Sequence, residues 1–195
     1  MSRRRPLPLI TVGLVLANLG AYAFELAGGG LPVCEAYGLV PERLLRTGGL
    51  APVLASTFLH DPTAPFTHLL GNMITLMACG LVAEPVLGRA RLAALYVASG
   101  VIGALLHVAV APESTISLVG ASGAICGVMA IVAALRPHML GFVGTFVVWN
   151  IWWAFTGTSG DVSFAAHLGG FATGASAVVI AGARGTVEVW RLRVA

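Results

Sequence analysis

Gly120-Ala121-Ser122-Gly123 heads an apolar run, 119–135, that carries no charge until Arg136. A hydroxyl at the start of a stretch this apolar decides how the chain is read. Polar and ionisable groups are costly at membrane depth and mark functional sites there. A second such group, His167, lies early in another apolar run, within Ala166-His167-Leu168-Gly169-Gly170. A hydroxyl and an imidazole near the starts of two membrane helices are the parts of a hydrolytic site inside a bilayer.

The composition sets the class. Of 195 residues, 57% are hydrophobic and 10% charged, and the mean hydropathy is +0.91. Soluble domains carry about 25% charged residues, so this chain belongs in a lipid bilayer. The net charge of +3 comes from arginine alone, because the chain has no lysine. Those arginines fall between apolar segments and form no basic stripe, which fits membrane topology and argues against a nucleic-acid partner. Cys34, Cys79 and Cys126 are odd in number and scattered. They suit packing, with neither a disulfide framework nor a zinc site indicated. No cofactor is expected.

Six segments approach the 20 or so apolar residues of a transmembrane helix: 7–27, 66–83, 92–111, 119–135, 139–155 and 162–183. The expected fold is an all-α membrane protein, one domain over residues 1–195, with six spans. The first segment follows Arg3-Arg4-Arg5 but is longer than a signal-peptide core and lacks a clean cleavage site, so it reads as an anchor. With both termini cytoplasmic, Arg3, Arg4, Arg5, Arg89, Arg91, Arg136, Arg184, Arg191 and Arg193 all lie inside. Only Arg43 and Arg46 then fall outside, with Glu35, Glu42, Asp61, Glu113 and Asp161. The lysine-free, Ala/Gly/Arg-rich composition suggests a bacterial plasma membrane.

The first external loop, 28–65, is far longer than the other connections and rich in Gly and Pro, yet it contains Leu44, Leu45, Leu50, Val53, Leu54, Phe58 and Leu59. Long loops in compact proteins are functional or disordered, and this apolar content favours a structure lying partly in the interface. Trp149, Trp152 and Trp153 cluster near the outer end of the fifth span, where aromatic belts form.

Spans two, four and six run in the same direction, so their starts share one side of the membrane. His68 and Asn72 lie near the start of the second, Ser122 of the fourth and His167 of the sixth. At 1.5 Å rise per residue, all would sit about 5–10 Å below the outer surface. A base is needed to make the serine hydroxyl nucleophilic, and an imidazole suits that task. Ser122 at a helix start has free backbone N–H groups beside it for an oxyanion. His68 and Asn72, four residues apart, share a face and can donate to the same oxyanion. No carboxylate lies at this depth to orient His167, so a Ser-His dyad is expected. Gly123 and Gly127, with Gly170 and Gly174, are small-xxx-small pairs that let two helices approach closely. Gly120 and Cys126 complete the packing around the dyad.

Gly120-Ala121-Ser122-Gly123, Ala166-His167-Leu168-Gly169-Gly170 and His68-Leu69-Leu70-Gly71-Asn72 resemble the GxSG, AHxxG and HxxxN motifs of the rhomboid intramembrane serine proteases, in the right order and on the right spans. The resemblance covers nearly the whole chain. It implies Ser122 as nucleophile and His167 as general base, with Asn72, His68 and the Ser122 backbone around the oxyanion. It also implies that the first loop embeds in the membrane, and that spans two and five flank the path of transmembrane protein substrates. Glu84 looks like a structural acid that many members carry; the alternative is an interfacial carboxylate pairing with Arg89 or Arg91. Two positions depart from the pattern. Where many members pack an aromatic residue against the histidine this chain has Cys126, and Ala51-Pro52 stands where many have Trp-Arg.

His60, His107 and His138 lack metal-ligand spacing. His60 and Asp61 read as a loop turn before Pro62, and Glu25 as interfacial. The expected activity is that of a serine endopeptidase acting on transmembrane segments. The alternatives are a catalytically silent rhomboid-like protein that binds client helices, or a transporter, whose polar groups usually lie nearer the midplane.

Overall fold

Apolar runs without interior charge have few ways to satisfy their backbone in lipid, and a single chain segment does it as an α-helix. The computed structural model describes residues 7–60, 62, 66–156, 164–183 and 186–187. Arg3, Arg4, Arg5, Asp61, Asp161, Arg184, Arg191 and Arg193, used above for topology, lie outside the described residues, as do the side chains of Trp149 and Trp153. The described helices are α1 (Leu9–Ala27), α2 (Leu31–Tyr37), α3 (Pro41–Thr47), α4 (Ala51–Ala55), α5 (Phe66–Leu87), α6 (Arg89–Val110), α7 (Ser122–Leu135), α8 (Leu140–Thr156) and α9 (Phe164–Ala183).

Among the described residues, four helices are long and apolar enough to cross a membrane: α1, α6, α9 and the His68–Leu87 part of α5. The sequence led us to expect six. The difference lies in α7 and α8, of 14 and 17 residues. They reach about 21 and 26 Å, against a hydrocarbon core of about 30 Å. α7 begins at Ser122, three residues later than expected, because Gly120 at φ +133° turns the chain just ahead of it. α5 runs past residue 83 to Leu87, so Glu84 is helical, and Gly88 at φ +81° closes that helix.

The long first loop is built from α2, α3 and α4. Each has proline in its first turn, at Pro32, Pro41 and Pro52, and Gly38 and Gly48 end the first two. The loop is pinned to the α6–α7 connection. Leu39 and Leu118 exchange backbone hydrogen bonds of 3.2 and 2.7 Å, Glu42 N–H donates to the Ser114 carbonyl, and Ser117 Oγ donates to the Cys34 carbonyl. The segment leading into Ser122 is therefore held from the loop side.

α7 is buried almost all round, from Gly123 to Ala133 and again at Leu135, with α5, α6 and α9 packed against it. Such a helix meets little lipid, which makes its shortness tolerable. Outward-facing Ile74, Leu81, Val179 and Ile180 give the bundle an apolar exterior. Close packing is carried by glycine. A Cβ on Gly170 would strike the Gly123 carbonyl, one on Gly174 the Gly127 carbonyl, and one on Gly127 the Ser99 hydroxyl. On α6, a Cβ on Gly103 would meet the Ala166 carbonyl.

α1 packs differently from a soluble helix. Its fully buried residues are Thr11, Asn18 and Glu25, all polar and spaced by seven. Ile10, Leu14, Val15 and Tyr22 pack partly buried against the core beside them, and Leu9, Val12, Leu16, Leu19, Phe24 and Leu26 face outward. A seven-residue repeat keeps the three polar residues on one face. Thr11 meets Glu84, whose carboxylate accepts from Ile10 N–H at 3.1 Å, Thr11 N–H at 2.8 Å and Thr11 Oγ at 2.7 Å. Glu84 thus satisfies the free donors at the start of α1 from outside, with Arg89 Nε 4.0 Å away. Of the two sequence readings the structural acid holds, and the arginine contact accompanies it. Asn18 bonds Tyr96 Oη at 3.1 Å, and Tyr96 in turn donates to the Thr57 carbonyl. Glu25 is fully buried and accepts from the His60 backbone N–H at 2.8 Å. The interfacial reading of Glu25 is corrected: a neighbouring loop segment covers it. Helices in lipid have no hydrophobic driving force for burying apolar faces against each other, so close packing and polar contacts of this kind select the docked position.

Candidate active site

Ser122 is the first residue of α7 and His167 the fourth of α9. The glycine contacts between these helices set their separation, and Ser122 Oγ lies 2.6 Å from His167 Nε2. With the ring proton on Nδ1, the hydroxyl donates to Nε2, the arrangement from which a base removes a serine proton. The first N–H groups of α7, including that of Ser122, have no carbonyl one turn back to accept them. They lie beside the hydroxyl at the positive end of the helix.

Gly120 owes its identity to its φ of +133°, and its N–H donates to the Ser56 carbonyl at 2.9 Å. A Cβ there would stand 3.7 Å from both His68 Cε1 and Ser122 Oγ, so glycine keeps the space between imidazole and hydroxyl clear. His68 borders this space from the first turn of α5 and is exposed. Asn72, one turn on, is buried and lines a cavity with His68, Ser122 and His167. Its amide also has a partner that the sequence did not suggest: Asn72 Nδ2 is 3.1 Å from His60 Nε2.

His60 lies in the loop before Pro62, where the sequence put it, but its burial and its partners carried no sequence signal. It is buried, with its Nδ1 3.1 Å from the Phe58 carbonyl and its ring edge-on to His68 at 5.8 Å between centroids. Burial pushes its pKa down to about 4; the bond to the Phe58 carbonyl opposes this, and the nearby His68 adds to the lowering. His107 and His138 line neither cavity at the site.

Two cavities flank the Ser122–His167 pair. The smaller, about 40 Å³, is bordered by Ser56, Thr57, His68, Gly120, Ser122 and His167 among others. That is room for a water or two among polar groups. The larger, about 320 Å³ and mostly apolar, is walled by Gly71, Asn72 and Thr75 of α5, Ile125, Cys126 and Met129 of α7, Phe146 of α8, and His167. Cys126 is buried on its wall. The aromatic support that residue 126 does not give His167 comes from elsewhere: Phe146 and Phe164 place their rings 5.9 and 6.2 Å from the imidazole. The sequence signal for Phe164 was its position one turn before His167; Phe146 carried none.

A profile of the Rhomboid domain matches residues 47–184. Over 122 residues the chain is 33% identical to RHOMBOID-like protein 5 of Arabidopsis thaliana, an alignment covering 60% of this chain and 38% of the plant protein. The shared part is thus about two fifths of that relative. α1 precedes the matched residues, whereas Ser122, His167, His68, Asn72 and His60 fall within them.

Proposed function

Because the chain belongs to the rhomboid family, we propose that it is a membrane-embedded serine endopeptidase cutting transmembrane segments of other proteins near the outer face of the bilayer. The observation that carries this reading is the 2.6 Å contact between Ser122 Oγ and His167 Nε2. Ser122 Oγ attacks the scissile carbonyl carbon while His167 Nε2 takes its proton, and N–H donors at the start of α7 with Asn72 and His68 hold the oxyanion. His167 then protonates the leaving amine as the C–N bond breaks, leaving an acyl-serine. A water, for which the 40 Å³ cavity has room, gives a proton to His167 and its oxygen to the acyl carbon. The bond from that carbon to Oγ then breaks, and His167 returns the proton to Ser122 Oγ. The apolar 320 Å³ cavity between α5 and α8 supports substrate approach from the lipid side.

We read the chain as one domain of six spans in a bacterial plasma membrane, with α7 and α8 as the fourth and fifth and both termini cytoplasmic. Oligomeric state does not enter this reading. Purified protein in liposomes, given a transmembrane test substrate and a fluorophosphonate, should cleave and label. Ser122→Ala and His167→Ala should do neither while keeping the wild-type melting temperature. A folded wild type that does not label would replace the enzyme with the client-binding alternative.

A further inference from the structure

An asparagine can serve an oxyanion only through its N–H end, and something must stop the amide from presenting its oxygen instead. A chain of obligatory assignments does so here. The Phe58 carbonyl can only accept, so His60 Nδ1, 3.1 Å away, carries the ring proton. His60 Nε2 is then an acceptor, and the Asn72 atom 3.1 Å from it must be the donor Nδ2. A backbone carbonyl fourteen residues upstream thereby fixes which way the amide faces. One N–H of Nδ2 goes to His60, leaving the second as the donor available to the cavity that Asn72 shares with Ser122 and His167.

The ring that imposes this is itself held. The His60 backbone N–H donates to Glu25 Oε1, the Cys34 thiol lies 3.6 Å from the His60 carbonyl, and the side chain is 1% exposed. We propose that His60 is a positioning residue for the proposed reaction: its imidazole, set by the Phe58 carbonyl, orients the Asn72 amide so that an N–H faces the oxyanion. The proposal rests on the protease reading above.

The test is a double-mutant cycle in liposomes. His60→Asn can keep the bond to Phe58 but ends short of Asn72, whereas His60→Gln carries an acceptor out to the Nε2 position. His60→Asn should lower kcat about ten- to a hundredfold, less than the 10²–10³ expected for deleting the donor in Asn72→Ala. KM should stay within about twofold, and His60→Gln should recover most of kcat. In the Asn72→Ala background, His60→Asn should cost less than about twofold more, because nothing remains to position. A merely structural histidine would give the same proportional loss in both backgrounds, and that result overturns the proposal. So does wild-type kcat in folded His60→Asn. Should His60→Asn fail to fold, the cycle is run with His60→Gln: a sizeable kcat loss that is equal in both backgrounds is again fatal, and retained kcat supports the proposal. An active, Ser122-dependent wild type with an additive cycle removes this proposal alone. An inactive wild type removes the protease reading and this proposal with it.

Discussion

Gly170→Ala places one methyl group between α9 and α7. Built on the present backbone, its carbon would strike the Gly123 carbonyl and stand 3.3 Å from Gly123 Cα. Both neighbours are backbone in the tightest part of the bundle, so no side chain can swing aside. Ordinary contact needs about 3.5–4.0 Å, which requires the helices to part by about 1 Å or more. His167 lies one turn before Gly170 and Ser122 one residue before Gly123. The same displacement therefore opens the 2.6 Å contact between Ser122 Oγ and His167 Nε2. A misplacement of about 1 Å between reacting groups costs about 10²-fold in rate, and overpacking costs about 1–3 kcal/mol in stability. We expect Gly170→Ala to lose about two orders of magnitude in kcat and to melt several degrees lower in detergent. Gly20→Ala on α1, where an added carbon meets nothing within 4 Å, is the control. It should be neutral or stabilise by up to about 1 kcal/mol. Wild-type kcat and melting temperature in Gly170→Ala would refute the account of how the two helices set the site.

Glu84→Ala removes the acceptor of three hydrogen bonds at the start of α1 and should destabilise by about 2–4 kcal/mol. Glu84→Gln keeps one acceptor oxygen and should lose less; equal melting temperatures for all three proteins would sink the capping role. Acid should also weaken the fold through His60, whose folded pKa of about 4 lies below the ordinary 6.5. Because the folded value is depressed, this contribution is complete above about pH 6.5 and is lost as pH falls toward 4, a difference of about 3 kcal/mol. Glu25, which accepts from the His60 backbone, and His68, ring to ring with it, are the charged or titratable groups that face it. Melting temperatures measured from pH 7 to 4 should therefore fall more steeply in wild type than in His60→Gln, and parallel curves would contradict the assignment.

What could be read from sequence follows helix geometry. Ser122 and His167 were legible because each sits in the first turn of an apolar helix, and the glycines beside them announce close approach. His60 was not, because its bonds to Phe58 and Asn72 depend on the path of a loop, and loop paths leave no periodicity. Glu25 misled for a related reason: a carboxylate at the end of a span is interfacial unless something covers it, and His60 does. The loop helices α2 to α4 were signalled by Pro32, Pro41 and Pro52, with Gly38 and Gly48 as stops, yet each helix is too short for a hydrophobic period. The count of spans differed where apolar composition alone was used. Gly120 shortens α7, and burial removes the need for it to reach across the bilayer.

The polar stripe of α1 bears on how the protein is made. Translation delivers α1 first, but the partners of its stripe come later. His60 follows Glu25 by 35 residues, Glu84 follows Thr11 by 73 and Tyr96 follows Asn18 by 78. At about 5–20 residues per second, α1 waits about 2–16 s for them. During that interval it has only its apolar exterior to hold it in lipid, with an asparagine and a glutamate unmatched. Insertion of this helix thus draws on its apolar side chains, and its later docking on the polar stripe among them. The residues that make it a poor lone helix are the ones that give it a single place in the finished bundle.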